Sequence, residues 1–216
     1  MAVVGVGGAG CNIAEGFFKD LAPVTVIAVN TDERSLLETT ADRKVLLYEG
    51  VSKFASIQRD AAFGRKCARS HSDDISNALH GHDVVVIIAG MGGGTGTGAT
   101  PVVVEIAREL NIMTLTIAVK SLSIEGRDRS AKEGLEALRS VCPAMVTIQN
   151  DLVFEKFPDL TVTEAFGKIN KGIRAFVKEK VGMISETLEK EICRILPVYI
   201  RSERSPMFTM PAFTFV

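Results

Sequence analysis

Residues 90–98 read Gly-Met-Gly-Gly-Gly-Thr-Gly-Thr-Gly, a composition suited to holding phosphate groups. Glycine lets backbone amides approach phosphate oxygens closely, and Thr95 and Thr97 add hydroxyl donors. The run follows the apolar stretch Asp83–Ala89 and precedes a helical pattern that starts at Ala99, so a helix N-terminus faces the same anion. A flexible linker is the alternative, but linkers seldom lie between a buried strand and a helix. The sequence therefore predicts a phosphate-binding loop, and its lack of lysine separates it from the common Gly-x-x-x-x-Gly-Lys-Ser/Thr loop.

A second glycine-rich segment lies near the N-terminus. Gly5–Gly10 reads Gly-Val-Gly-Gly-Ala-Gly, which matches Gly-x-Gly-x-x-Gly directly after the apolar run Ala2–Val6. Taken alone, this segment with Asp32 as a ribose-binding acid permits an NAD-dependent oxidoreductase. A dinucleotide fold has no use for a second phosphate loop, however, so the two segments together favour a polyphosphate held from two sides.

Apolar strand patterns alternate with helical patterns along most of the chain. This alternation predicts an α/β fold with a doubly wound, mostly parallel sheet, and a ligand site beyond the carboxyl ends of its strands. A long helix is predicted at Thr163–Leu196, with Pro197 as its end. The expected organisation is one domain over residues 1–196 and an extended tail or terminal hairpin over residues 197–216. Strands are predicted at Ala2–Val6, Val24–Val29, Lys44–Tyr48, Asp83–Ala89, Met113–Val119 and Ala144–Ile148, and helices at Asn12–Leu21, Ala61–Leu79, Ala99–Leu110 and Arg129–Val141.

Composition narrows the classes of function. The 216 residues are 46% hydrophobic with a formal net charge of -1, which gives no basic field for nucleic acid. No apolar run reaches the length of a membrane-spanning helix, and no secretory leader is visible, so we expect a cytoplasmic protein. The four cysteines form no Cys-x-x-Cys pair, and we expect neither a zinc site nor any other metal site built from side chains.

The run Gly-Gly-Gly-Thr-Gly-Thr-Gly resembles the signature of the tubulin and FtsZ family. Further segments resemble the family's motifs in the same order, from the N-terminus to about residue 190. They are Gly5–Asn12, Asn30-Thr31-Asp32, Ile124–Arg129, Ile148–Asp151 and Glu164-Ala165-Phe166. The resemblance implies a short FtsZ-like protein with a Rossmann-like GTP-binding domain and no second domain.

The resemblance also implies a set of nucleotide-binding residues for GTP or GDP, with Mg²⁺ bound through the phosphates. Glu125 and Arg129 are expected at the ribose and phosphates, and Phe166 is expected to stack on the base while Asn12 and Asn170 contact it. The phosphates are expected at Gly7, Gly8, Ala9, Gly10, Gly92, Gly93, Gly94, Thr95, Gly96 and Thr97, and the loops carrying Asn30 and Asn150 complete the set. Each has a plainer alternative: a core phenylalanine, a solvated charge pair or a helix cap.

The chain departs from the family pattern in two places. The stretch 50–58 is not the glycine- and alanine-rich loop of FtsZ, and Lys53 there is a candidate contact to the terminal phosphate. The family's loop of catalytic carboxylates is also absent, which leaves GTP hydrolysis open. Glu186, Glu189 and Glu191 are candidate catalytic residues acting on a neighbouring subunit, and a solvated helix face is their alternative.

The expected function is a GTP-binding, FtsZ-like cytoskeletal protein of cell division that self-assembles head to tail into filaments. One alternative is a non-polymerising GTP-binding regulator of a full-length relative, and the remote alternative is the NAD-dependent oxidoreductase. Met210-Pro211-Ala212-Phe213 resembles part of the peptide with which FtsZ binds membrane-tethering partners. The tail is therefore a candidate site for a division partner that recruits the protein to a membrane, or an edge segment packed on a domain.

Overall fold

The computed structural model describes residues 1–18, 24–48, 60–142 and 144–202, with side chains up to residue 183. Its centre is a six-stranded sheet in the order β3-β2-β1-β4-β5-β6, and every adjacent pair is parallel. The strands are β1 (Ala2–Val6), β2 (Thr25–Asn30), β3 (Arg43–Leu46), β4 (Val84–Met91), β5 (Met113–Lys120) and β6 (Met145–Gln149). The predicted doubly wound parallel sheet is confirmed.

Helices connect the strands and cover the sheet. They are α1 (Gly7–Glu15), α2 (Glu33–Glu38), α3 (Ala61–Ser70), α4 (Ser72–Leu79), α5 (Gly94–Glu109), α6 (Asp128–Val141), α7 (Asp151–Lys156) and α8 (Val162–Ser202). The large apolar cluster joins the sheet to α3, α4, α5 and α6, and a smaller cluster joins β2 to α1 and α2. Because helices cover both faces, β1 is buried at every position, as expected for a central parallel strand.

The sheet reverses its winding direction between β1 and β4. From β1 the chain proceeds to β2 and β3 on one side, whereas β4, β5 and β6 lie on the other. Val6 at the end of β1 is level with Val29 of β2 and Ala89 of β4, so these three strands end at the same edge. In open α/β sheets such a switch point leaves a crevice between the two connecting helices, here α1 and α5.

Two helices begin earlier than their sequence pattern predicts. α1 starts at Gly7 rather than Asn12, and α5 starts at Gly94 rather than Ala99. Some of the glycines predicted to form loops, namely Gly7, Gly8, Gly94 and Gly96, therefore lie in the first turns of helices. Glycine disfavours a helix in isolation, but here the absence of a side chain allows close packing at the switch point, and packing outweighs propensity.

The chain forms two compact units, Met1–Ala175 and Phe176–Val216. The first contains the whole sheet, and the described backbone of the second is helical to Ser202. The prediction that Pro197 ends the long helix is therefore wrong. A proline removes one N–H···O bond and disfavours the interior of a helix without forcing the chain out of it. The tail beyond Ser202, including Met210–Phe213, lies outside the described residues.

Candidate functional site

A cleft of about 450 Å³ lies at the switch point, beyond the carboxyl ends of five strands. Each wall is the segment that follows one strand, so residues distant in sequence meet there. The lining residues are Val6, Gly7, Gly8, Ala9, Asn30, Thr31, Asp32, Ser35, Gly90, Met91, Gly93, Gly94, Thr95, Gly96, Val119, Ser121, Glu125, Arg127, Asn150 and Phe166. The volume lies within the range of small-molecule sites in proteins.

The first wall is the turn from β1 into α1. Gly7 has φ 72°, a left-handed conformation that a side chain would strain, and a Cβ added there would lie 2.8 Å from the amide nitrogen of Gly96. The two glycine-rich segments therefore touch at this point. No side chain caps α1, so its first amides keep their hydrogen-bonding capacity for an anion in the cleft.

The second wall is the turn from β4 into α5. Gly92 has φ 112°, and its N–H donates to Thr97 Oγ1 at 2.8 Å. Thr100 Oγ1 donates to the carbonyl of Gly96 at 2.5 Å, which fastens the first turn of the helix. Gly93 precedes α5 without a side-chain cap, so this helix also presents free amides. The N-termini of α1 and α5 thus converge on one cleft, and their partial charges favour a polyanion.

The segment after β2 connects to the second wall. Thr31 Oγ1 and Thr95 Oγ1 lie 2.6 Å apart and share a buried hydrogen bond. Asn30 Oδ1 accepts from the N–H of Thr31 at 2.9 Å, which shapes the turn. Asp32 caps α2 by accepting from the N–H of Ser35 at 3.0 Å. The carboxylate expected to bind a ribose in an NAD site is therefore engaged as a helix cap.

The segment after β5 carries two of the charged residues that line the cleft, Glu125 and Arg127. Glu125 accepts from the N–H of Leu122 at 3.1 Å, and its other carboxylate oxygen lies 3.5 Å from a guanidinium nitrogen of Arg127. The neighbouring Asp151 accepts from the N–H and the hydroxyl of Ser123, and these bonds, the first above all, lower the pKa of its carboxyl. The position of this charged segment is thus tied to the segment after β6.

The arginine in the cleft is not the one expected from the family motif. Arg129 has a side chain that is 93% exposed and pairs with Glu133 at 2.9 Å, away from the cleft lining. Arg127 lines the cleft instead. The segment leaves β5 through a 3₁₀ turn, and Gly126 in a left-handed conformation directly precedes Arg127. Sequence reasoning missed Arg127 because Arg129 alone matched the motif, and the contact expected of Arg129 with the nucleotide stays a prediction.

Two polar atoms at the cleft are buried without a hydrogen-bond partner in the described structure, Asn150 Oδ1 and Ser121 Oγ. Asn150 is only 4% exposed. A buried polar group without a partner costs about 1–3 kcal/mol, and a polar ligand would relieve that cost. Asn150 was predicted from the family motif, whereas no pattern around Ser121 marked it as a site residue.

Only some of the remaining predicted site residues line the cleft. Phe166 lies at the rim with 36% of its surface exposed, which leaves its ring available for stacking. Asn12 is exposed on α1 and Asn170 is half-buried on α8, and neither lines the cleft. Their base contacts stay predictions. Gly10, Gly92 and Thr97 likewise shape the walls without lining the cleft.

The candidates for hydrolysis and for sensing the terminal phosphate fall outside the described side chains. Glu186, Glu189 and Glu191 lie on the described backbone of α8, but their side chains are beyond the described part. Lys53 lies within residues 49–59, which are also outside it. Their roles stay predictions.

None of the described helices is long and apolar enough to span a bilayer.

A nucleoside phosphate fits the chemistry of this cleft. Two uncapped helix N-termini suit the phosphates, the carboxylate of Glu125 can accept from ribose hydroxyls, and exposed Phe166 can stack on a base. Among the described residues, no group of three His, Cys, Asp or Glu side chains is placed to hold a metal ion.

Comparisons with known proteins agree with this geometry. The family model described as "Tubulin/FtsZ family, GTPase domain" matches residues 1–157. Cell division protein FtsZ 1 of Pyrococcus horikoshii is 36% identical over 167 residues, covering 76% of this chain and 45% of that protein. Cell division protein FtsZ of Methanothermobacter thermautotrophicus is 35% identical over 193 residues, covering 85% of this chain and 50% of that protein.

A solved structure described as an empty FtsZ dimer from M. jannaschii superposes with a TM-score of 0.73 at 32% identity. The superposition covers 79% of this chain and 50% of that one. The chain thus spans about half the length of the relatives it matches. The family model's matched residues, 1–157, contain the whole sheet and the cleft lining up to Asn150. The chain belongs to the tubulin/FtsZ family and carries its GTPase domain.

Proposed function

We propose that this chain binds GTP and GDP in the cleft between α1 and α5. The observation that carries the proposal is the convergence of two uncapped, glycine-rich helix N-termini at the switch point of the sheet, with Gly7 against Gly96. A single phosphate loop would serve a dinucleotide, whereas two opposed helix N-termini suit the consecutive phosphates of a nucleoside triphosphate. The GTPase-domain family supports guanine as the base.

The surrounding side chains would orient the nucleotide. Glu125 accepts from the ribose, and Arg127 balances the charge of Glu125 and reaches toward the phosphates. Asn150 and Ser121 donate or accept at the wall after β5 and β6, which satisfies their buried atoms. Phe166 stacks on the base from the rim. Mg²⁺ supplies charge neutralisation at the phosphates when it is bound with GTP.

The test uses a glycine in open space. A Cβ added at Gly8 meets nothing within 4 Å, yet Gly8 lines the cleft at the first turn of α1. Gly8→Asp puts a negative charge where the phosphates bind, so we expect GTP affinity to fall about 100-fold or more. Titration of nucleotide-free protein with a fluorescent GTP analogue measures the loss. Gly172→Asp is the matched control, because it adds the same charge at a glycine that is also exposed with open space around it but lies on α8.

The nucleotide retained by the purified protein provides an independent check. We expect GDP or GTP, identified by chromatography of the heat-released ligand. Retained NAD, or equal affinity of wild type and Gly8→Asp for GTP, would overturn the proposal.

The proposal extends to self-association in a head-to-tail manner, as in a cell-division filament. The M. jannaschii relative is described as a dimer, and the matched relatives are cell division proteins. Sedimentation with GTP and with GDP tests this: pelleting that depends on the nucleotide supports a filament. A persistent monomer that pellets only with a full-length relative supports the regulator instead. GTP hydrolysis, the cytoplasmic location and recruitment to a membrane through the tail stay predictions.

A further inference from the structure

A second concavity lies on the other side of the phosphate segment, between α3 and α6. This groove, which we call the α3–α6 groove, has a volume of about 720 Å³. Its lining consists of Ala61, Ala62, Arg65, Lys66, Arg69, Ser70, Thr97, Ser130, Glu133, Gly134 and Ala137. None of these residues except Thr97 was singled out as part of a site, and the nucleotide cleft uses none of their side chains but that of Thr97, which braces its wall.

One wall of the groove is a row of cations. The lining positions of α3 follow the helical spacing of a single face, so Arg65 and Arg69 stand one turn apart with Lys66 beside them. All three are exposed, and none forms an ion pair or hydrogen bond with any residue that the structure describes. Like charges at this spacing repel one another and destabilise a helix slightly. An anion from outside the chain would offset this repulsion.

The opposite wall and the floor differ in character. The carboxylate that lines the groove, Glu133, is already paired with Arg129 at 2.9 Å. Alanine and glycine residues make up most of the remaining lining, together with Ser70, Ser130 and buried Thr97. Such small residues allow another backbone to approach closely, as at helix crossings.

The shape and chemistry together select the class of ligand. An inorganic polyanion would gain nothing from the alanine floor, and nucleic acid needs a wider basic field than three cations on a chain of net charge -1. A membrane surface is flat, whereas this site is concave. A helix with acidic residues on one face and small apolar residues on the other matches both the wall and the floor. The lining of α3 from Ala61 to Ser70 extends over about 13 Å, or two to three helical turns.

We propose that the α3–α6 groove is a docking site for an acidic amphipathic helix of a partner protein. Arg65, Lys66 and Arg69 bind its carboxylates, and the floor of Ala61, Ala62, Gly134 and Ala137 receives its apolar face. Electrostatic complementarity sets the register and the rate of encounter, while the shallow apolar floor limits the affinity.

The probe is a labelled synthetic peptide of two repeats of Glu-Ala-Ala-Leu-Glu-Ala-Ala, which is about 20 Å long as a helix. Fluorescence anisotropy measures its binding to the full chain. We expect saturable binding that weakens with salt, and no comparable binding of a scrambled peptide of the same composition. The double variant Arg65→Glu/Arg69→Glu should weaken binding about tenfold or more. Lys132→Glu is the matched control, because Lys132 is exposed on α6 but does not line the groove.

A variant that binds the peptide more tightly would distinguish docking in the groove from a loss of binding caused by a disturbed fold. Glu133→Gln removes the one carboxylate of the lining, so we expect the peptide to bind about twofold more tightly. Unchanged thermal unfolding of each variant verifies its fold. The proposal is overturned if the scrambled peptide binds equally or if the double variant binds like wild type. It is also overturned if phosphatidylserine vesicles or a second copy of the chain, rather than the peptide, depend on Arg65 and Arg69.

Discussion

The two helix N-termini at the cleft are built in different ways. α1 starts after β1 with no hydroxyl bracing its first turn, and its attachment comes from its inner face, where Cys11, Ile13 and Ala14 are buried. The first turn of α5 is instead fastened by the hydroxyls of Thr97 and Thr100. Two similar glycine-rich segments therefore present amides to a ligand with different support. Buried residues on the inner face hold α1, which we call the apolar anchor, and threonine hydroxyl bonds hold α5, which we call the polar brace.

This contrast predicts different responses to mutation. Disturbing α5 through its hydroxyls should alter both stability and ligand binding, because the same bonds hold the wall and shape it. Disturbing the inner face of α1 should alter the free energy of unfolding, because Cys11 is buried there and its thiol ionises less readily in the folded state. The predictions below separate the two.

The largest effect is expected from Thr97→Val, a change of nearly equal volume. It removes the acceptor of the Gly92 N–H at a residue that is 4% exposed, which should lower the free energy of unfolding by up to about 3 kcal/mol. Because Gly92 sets the path of the phosphate segment, GTP affinity should fall about tenfold. Urea unfolding and nucleotide titration measure the two effects.

Thr114→Val is the control for that change. Thr114 donates to the carbonyl of Ile112 at 3.0 Å in a partly buried position outside the cleft lining. The Thr114→Val variant should have a lower free energy of unfolding than wild type and the same GTP affinity. Wild-type affinity in Thr97→Val would show that the polar brace is dispensable for the site.

The second effect concerns the inner face of α1 and depends on pH. Burial raises the pKa of the Cys11 thiol from 9.0 to about 12, outweighing the hydrogen bond that it donates to the carbonyl of Val29. Since the folded state keeps its proton where the unfolded state loses it, stability is lost as pH rises above 9. The loss attributable to Cys11 should reach about 2 kcal/mol near pH 10.5.

Comparison of wild type with Cys11→Ala isolates this contribution, because other groups titrate in both proteins. Wild type should show the steeper fall in the free energy of unfolding between about pH 9 and pH 10.5. Cys67→Ala is the matched control, because burial also raises the pKa of the Cys67 thiol but Cys67 lies on α3. Parallel curves for wild type and Cys11→Ala would contradict the apolar-anchor description of α1.

The smallest effect tests whether the brace of α5 extends to the segment after β2. A double-mutant cycle of Thr31→Val and Thr95→Val in nucleotide-free protein should give a coupling energy of about 0.5–1.5 kcal/mol, from their 2.6 Å hydrogen bond. The cycle of Thr31→Val with Thr100→Val should give almost none, because Thr100 bonds to Gly96 instead. Equal coupling energies in the two cycles would show that Thr31 does not support α5 through its hydrogen bond with Thr95.

Much of the fold was predictable because its signals are local. Continuous apolar runs such as Val84–Ile88 mark strands buried on both faces, and their alternation with helical patterns predicts the parallel sheet. Element ends were less predictable. The helical pattern marks α5 from Ala99, yet the helix starts at Gly94, since glycine carries no amphipathic signal and low intrinsic propensity.

The sequence by itself determined the family, the parallel sheet and the two glycine-rich segments, because glycine spacing and apolar periodicity are properties of the chain. Only the tertiary structure decided that Arg127 rather than Arg129 lines the cleft, and that Ser121 joins it. It also decided that two similar segments differ in support, one apolar and one braced by hydroxyls. Side-chain direction and burial depend on neighbours from distant parts of the chain, which no local pattern records.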